Sequence, residues 1–553
     1  MFKHGHSTYL AIGLCVFGFF LAQLPCLGAT YRFHSDEKFY TDAAIRMYRQ
    51  GDILVPHYAD GSLRLRKPVL TYWTILGGFE LGGVSYVTAR MGILLAATGV
   101  LAGTAVLARR LFGRPEAGLL AAAFLVADHE LFTASWRLNP DGLLTLWILL
   151  SLIGFAIHAL SPRGDSRALF LGYVCAGLAI ATKGFMGVAA AGYGLLWVRF
   201  GATHLPGTRT RSSVHVLGIL TMLALGGAWY VAILTRFGPP SLLDFMKDQA
   251  GLQPGGPGPG IAGNPPRYLL ATFGDFLPGL LLLILGARLA PRRLKSFFSV
   301  NRRAVLFTLG WFGLLFIAFA GGRVFRPRYL LPAHPLVACF LAGAIVELIQ
   351  DPRMQRALRR LRSWEFAGAV GFGIVVALAG VRLDPRFPIA GGTIVVVALL
   401  TRMWARSPVA IVAGLCVFVF GVLWSYDAFL RPVFAETPAS QLAKRLESFP
   451  QDRTVLCLQV PLRIEAQLAV LTEGRHIPQE TREIDPPSEH PPAYLLPENR
   501  FGDLPADRYR KDAVVYRYRH IDARLFLDAW RGRSGDELLA ERRQTFVLAL
   551  PRE

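Results

Sequence analysis

The chain has 553 residues, 53% of them hydrophobic, and a formal net charge of +21. Its mean hydropathy of +0.39 argues against a soluble multi-domain protein and for a membrane-embedded body built from roughly 20-residue apolar segments. The basic surplus does not read as nucleic-acid binding. Arg109-Arg110 with Arg114, Arg292-Arg293 with Lys295, Arg302 and Arg303, and the run from Arg353 to Arg362 all sit in short gaps between apolar stretches. Lys and Arg in such gaps orient helices toward the cytoplasm.

In chain order, the first apolar run, 9–29, follows Lys3 and reads as an uncleaved first helix rather than a signal peptide. Further spans are expected at 84–108, 117–134, 143–160, 168–182, 184–199, 214–234, 269–289, 304–320, 329–349, 365–381, 389–404 and 409–426, about thirteen in all. With a cytoplasmic N-terminus, the basic clusters at 109–114, 199–211, 288–303 and 353–362 fall inside. The outer face then holds the loop 31–83, the turn around 137–141, the Gly/Pro-rich loop 237–267 and the tail. The loop 31–83 is too long for a simple connector. Within it, Asp42-Ala43-Ala44-Ile45-Arg46-Met47 reads as an amphipathic interfacial helix.

After Tyr426 the apolar runs stop. Strand-like 454–458 and 513–516, with a helical stretch 438–446, predict a small α/β domain. The expectation is therefore a polytopic α-helical transmembrane domain over 1–426 and a soluble extracytoplasmic α/β domain over 427–553. Cys15, Cys26, Cys175, Cys339, Cys416 and Cys457 form no CxxC pair, so neither a disulfide framework nor a zinc finger is expected.

Ionisable residues at membrane depth or its edge are candidates for function, because burying them is costly. Asp36 and Glu37, just outside the first helix, could take a proton from an acceptor hydroxyl or hold a divalent cation. They could equally lie in a solvated loop or cap the next helix. Arg64, Arg66 and Lys67, followed by the interfacial aromatics Tyr72-Trp73, could grip a phosphate or merely be solvated. Arg137 and Asp141 lie in a short outer turn, where the aspartate could orient an acceptor or cap a helix. Lys183, in Thr182-Lys183-Gly184, interrupts more than thirty apolar residues; pairing with a phosphate or carboxylate explains it, and snorkelling is the alternative.

Two patterns carry no weight. Gly258-Pro259-Gly260-Ile261-Ala262-Gly263 has the letters of a dinucleotide fingerprint without its strand–turn–helix setting. His129-Glu130 lacks the second histidine of a metalloprotease, and lone His158, His215 and His334 read as packed or interfacial.

In their order, Asp36-Glu37 with Tyr40, Gly51-Asp52 with Pro56, Lys67-Pro68 with Tyr72-Trp73, Arg90, Pro140-Asp141, Thr182-Lys183-Gly184 and Arg328-Tyr329-Leu330-Leu331-Pro332 resemble a known family. It is the aminoarabinose transferase/protein mannosyltransferase superfamily of GT-C glycosyltransferases, and the resemblance covers roughly residues 30 to 350. It implies an inverting transfer of a sugar from a polyprenyl-phosphate carrier, in bacteria undecaprenyl phosphate, to lipid A, another envelope glycan or a protein. The setting implied is the periplasmic face of the bacterial inner membrane.

By the same resemblance Asp36 and Asp141 are catalytic candidates, Lys67 a contact to the carrier phosphate and Lys183 a second one; Glu37 joins the catalytic candidates, and Arg66 and Arg137 the candidate phosphate contacts, on their own chemistry. Tyr40, Tyr72, Trp73 and Arg328 are substrate contacts. Aminoarabinose transferases carry a metal-associated glutamate just before the phosphate-contacting lysine. Arg66 stands there instead, which leaves the metal unknown, a divalent ion being the only cofactor to consider. The alternative function is a transporter or flippase of lipid-linked sugars. It would favour internal repeats and charges strung along a path, and neither is seen.

Overall fold

The computed structural model describes residues 2–201, 212–243, 245–246, 260–322, 325–435, 439–484, 491–517, 523–541 and 543–552. Residues 202–211 of the basic cluster at 199–211, residues 247–259 of the Gly/Pro-rich loop 237–267 (with Gly258 and Pro259), and Pro438 lie outside the described residues. Ten helices open the chain: α1 (Phe2–Gln23), α2 (Asp36–Gln50), α3 (Leu70–Gly82), α4 (Tyr86–Phe112), α5 (Pro115–Val126), α6 (His129–Ala134), α7 (Pro140–Leu160), α8 (Ser166–Lys183), α9 (Met186–Gly201) and α10 (Ser212–Phe237).

Among the described residues, nine helices are long and apolar enough to cross a membrane, ten if one bent pair counts as a span. The protein is thus a multi-span membrane protein. Its most enclosed span, Pro327–Leu348, is 94% buried inside the bundle. The outer spans instead present Leu, Ile, Val and Phe to their surroundings, as lipid-facing helices must.

Two expected spans are broken. Residues 117–134 divide into α5 and α6 because the Asp128 side chain accepts the N–H groups of Glu130 and Leu131, at 2.9 and 3.3 Å, and starts a new helix. Residues 269–289 divide at Phe276, where Gly263–Asp275 and Leu277–Leu289 meet at 92°. Pro278 sits in the first turn of the second helix, where it has no N–H to continue the first. The stretches 168–182 and 184–199 are helical, as α8 and α9, but are not among the nine.

The tail forms a five-stranded sheet of order β2-β1-β3-β5-β4. The strands are β1 (Val455–Leu458), β2 (Gln479–Thr481), β3 (Ala493–Pro497), β4 (Tyr509–Arg517) and β5 (Arg543–Pro551). β1 runs parallel to β2 and β3, while β5 is antiparallel to β3 and β4. The Leu462–Leu471 helix crosses over between β1 and β2. Its Ile464 and Leu468 pack with the sheet core, and Ala469 and Val470 with Tyr40, Ala44 and Ile45 of α2.

The amphipathic segment expected at an interface is therefore part of a longer helix, α2, clamped between α3 and the tail domain. The seam is tight: a side chain at Gly474, which has φ of +74°, would meet Ile45 Cγ2 at 2.3 Å. Lys38 crosses the same seam, 2.8 Å from Asp42 and 3.2 Å from Glu465.

Candidate active site

The ends of three helices and one short 3-10 segment converge on a cavity of about 450 Å³. Asp36 opens α2, where a carboxylate faces the positive end of the helix dipole. Asp141 stands in the first turn of α7, set by the Asn139 cap, whose side chain accepts the Asp141 N–H at 3.1 Å, and by Pro140 at the first helical position. Lys183 ends α8, and Gly184, with φ of +73°, turns the chain away. Arg328 and Tyr329 lie in the 3-10 segment Pro327–Ala333, at the N-terminal end of the most buried span.

Arg328 joins the two aspartates. Its Nη2 donates to Asp36 Oδ2 at 2.6 Å, and its Nε lies 3.3 Å from Asp141 Oδ2. Lys183 Nζ donates to the other Asp141 oxygen and sits 4.6 Å above the Tyr329 ring. His34 stands beside them, its Nε2 3.1 Å from Arg328 Nη1. Burial together with the Arg137 charge lowers this imidazole to about 4, so it is neutral near pH 7. Burial alone would raise Asp36, but Arg328, His34 and Arg326 outweigh it and hold the carboxyl below its ordinary range.

Six cationic side chains, Arg64, Arg66, Lys67, Lys183, Arg326 and Arg328, face two carboxylates across this cavity. Such a balance suits an anion. The position before Lys67 offers a guanidinium rather than a carboxylate, so this wall does not suit a bound metal ion.

The expected site residues fall into two groups. Asp36, Asp141, Arg66, Lys67, Lys183, Tyr40 and Arg328 line the cavity. Glu37, Tyr72, Trp73 and Arg137 do not. Glu37 points into the protein and pairs with Arg90 Nη2 at 2.9 Å; burial raises its carboxyl, and Arg90 opposes the rise. Tyr72 is fully buried behind Tyr40, ring centroids 5.3 Å apart. Trp73 turns outward and donates to the Ile53 carbonyl at 2.7 Å. Arg137 lines a neighbouring cavity of about 360 Å³, which shares Asp36, Arg326 and Arg328 with the first. Adjacent positions on α2 and α3 point different ways, so proximity in sequence did not mean a shared site.

Tyr58, Phe39 and Arg326 also line the cavity and were missed. Tyr58 is presented by a tight turn closed by the His57–Leu63 bridge and a Tyr58 N–H to Ser62 bond of 2.8 Å. Gly61, at φ of +86°, was its one sequence signal.

Residues 26–236 match the family model for dolichyl-phosphate-mannose-protein mannosyltransferases. The crystal structure of ArnT from Cupriavidus metallidurans bound to undecaprenyl phosphate superposes with a TM-score of 0.68 at 17% identity, covering 98% of this chain and 97% of that one. The chain has a GT-C membrane fold of the aminoarabinose-transferase type. It is 26% identical over 332 residues to the undecaprenyl phosphate-alpha-4-amino-4-deoxy-L-arabinose arabinosyl transferase of Edwardsiella ictaluri, covering 57% of this chain and 55% of that one. It is 28% identical over 322 residues to an uncharacterised protein of Aquifex aeolicus, covering 56% and 58%. The chain thus spans somewhat more than half the length of these relatives.

Proposed function

We propose that the protein is an inverting glycosyltransferase that moves a sugar from a polyprenyl-phosphate carrier, in bacteria undecaprenyl phosphate, to an envelope acceptor. The observation that carries this reading is the pairing of Asp36 and Asp141 through Arg328 in a cavity whose other charged residues are all cations. The carrier phosphate is the leaving group, and Arg66, Lys67 and Lys183 stabilise its charge as the glycosidic bond breaks. An acceptor oxygen attacks the anomeric carbon from the opposite side and gives its proton to Asp36. Asp141, tied to Lys183 and Arg328, orients these groups. The cavity and the tail domain face the periplasm, with the spans in the inner membrane.

Asp36, Asp141, Lys67, Arg66, Lys183, Tyr40 and Arg328 carry the site in this proposal. Glu37 and Tyr72 support it from behind. The acceptor is a lipid A group, another glycan or a protein hydroxyl. The charged groups gather at one end of the bundle rather than along a path through it, which favours transfer over transport.

The test is sugar transfer by the purified protein from synthetic polyprenyl-phosphate sugars, with Asp36→Asn and Lys67→Ala beside it. Product from the native protein and its loss in both folded variants supports the reading. Movement of lipid-linked sugar across vesicles, without product on any acceptor, defeats it.

A further inference from the structure

We propose that Asp128, Asp275 and His334 form a buried binding site for a single divalent transition-metal ion, separate from the sugar-transfer cavity. One ligand atom from each lies within 4.8 Å of the other two. The three come from different elements: Asp128 from the break between α5 and α6, Asp275 from the kink after Gly260–Asp275, and His334 from the start of the His334–Leu348 helix. Their exposures are 0%, 7% and 1%.

His334 Nδ1 and Asp128 Oδ2 are 2.7 Å apart. Asp275 faces this pair without any hydrogen bond or ion pair to another side chain among the described residues. The Glu130 N–H is shared between the two aspartates: it donates to Asp128 Oδ1 at 2.9 Å and also bears on the Asp275 carboxyl. Glu130 adds a third carboxylate. It bears electrostatically on both Asp275 and His334, and its Oε2 is buried without a hydrogen-bond partner, 3.7 Å from Arg137 Nη1. Three buried carboxyl groups thus crowd around one arginine and one imidazole, an arrangement that a divalent ion, by replacing protons, would relieve.

The spacing agrees with an ion. Metal–oxygen and metal–nitrogen bonds of about 2.0–2.2 Å place two ligands about 3–4.4 Å apart. The three ligand atoms lie within 4.8 Å of one another, and the His334–Asp128 pair, at 2.7 Å, has to open slightly for all three to share one ion. The ion takes the place of the Nδ1 proton between His334 and Asp128, and that proton leaves to solvent. One imidazole with carboxylates and no thiolate suits Zn²⁺ or Mn²⁺ rather than a soft ion.

The site pins the segment that carries Arg328. His334 follows Pro327–Ala333 directly, and the helix Gly260–Asp275 already holds that segment through a Tyr268 hydroxyl 3.1 Å from the Arg326 N–H. An ion linking Asp275 to His334 closes a second bond between the same two elements.

The experiment is elemental analysis of the full-length protein purified without chelators, with thermal unfolding before and after a membrane-protein-compatible chelator, and reloading with Zn²⁺ or Mn²⁺ alone. The expected result is about one equivalent of metal per chain, a lower unfolding temperature on chelation and recovery on reloading. Asp275→Asn and His334→Gln should lose the metal and the chelator response, while Asp36→Asn keeps both. No metal in the native protein, with no thermal shift on reloading, overturns the proposal. So does a folded Asp275→Asn protein that keeps its metal. These readouts need no sugar transfer, so they stand or fall apart from the proposed activity.

Discussion

Replacing Arg328 with Gln tests the link between the two aspartates most directly. The guanidinium reaches Asp36 at 2.6 Å through Nη2 and Asp141 at 3.3 Å through Nε, so no single-headed side chain can take both partners. Asp141 keeps Lys183, but Asp36 loses its principal counter-charge. Opposite charges about 4 Å apart attract by about 4 kcal/mol at an effective dielectric of about 20 and about 1 kcal/mol in water. Asp36 is about 31% exposed, between these limits. At about 1.4 kcal/mol per pH unit, its carboxyl should rise by about 1–3 units.

A carboxylate base works only above its own titration. The native rate should therefore be flat with pH down to the acid range, whereas Arg328→Gln should begin to lose rate at a clearly higher pH than the native enzyme does. At pH 8 the variant should still lose about 10²–10³-fold in kcat, the usual result of removing one preorganised electrostatic partner. The assay is the pH dependence of kcat and kcat/KM for sugar transfer, with Arg328→Lys alongside. A folded Arg328→Gln enzyme with the native rate and an unmoved acid limb would refute the reasoning.

Lys67→Ala and Lys183→Met should each lower kcat/KM for the polyprenyl-phosphate donor by about 10–100-fold through one lost charge-assisted contact, and donor titrations measure it. Arg90→Met should destabilise the protein by about 3–5 kcal/mol, because Glu37 stays buried and the Leu27 and Ala29 carbonyls lose donors at 2.8 and 2.9 Å. Adding Glu37→Gln should recover part of that loss in thermal unfolding, and a double variant no better than the single one would argue against a buried charge as the cause. Glu465 is raised from its ordinary 4.5 to about 7, chiefly by burial and against the pull of Lys38. A carboxyl raised on folding stabilises fully below its unfolded value and loses that contribution as pH climbs through the folded one. Glu465→Gln should therefore unfold at a higher temperature than the native protein at pH 8 and at nearly the same temperature at pH 4.5.

The sequence signals that survived best were those governed by local rules. Asp141 follows an Asn-Pro helix start, and Lys183 precedes a glycine that can take a positive φ, so both positions at helix ends could be read directly. The fold class followed from apolar run length. Side-chain direction did not follow. Asp36 and Glu37 are neighbours, but one faces the cavity and the other Arg90, 53 residues later. The breaks at Asp128 and Phe276 were hidden because the runs around them are apolar enough to read as single spans. His334 and Asp128, 206 residues apart, meet only through helix packing; His334 read as packed or interfacial, and nothing in the sequence drew attention to Asp128.

The tail domain bears on the site through α2. Tyr40, Ala44 and Ile45 of that helix pack against Ala469 and Val470, Lys38 reaches Glu465, and Gln467 of the same tail helix donates to the Thr30 carbonyl before α2. Asp36 begins the helix held in this way. A helix rotated by a single residue turns its side chains by about 100°, enough to carry Asp36 away from Arg328 and bring Glu37 toward the cavity. Glu37 cannot follow without leaving Arg90, and Ile45 cannot move toward the tail because Gly474 already touches it. Contacts on opposite sides of α2 therefore fix one rotation of the helix, the one that presents Asp36.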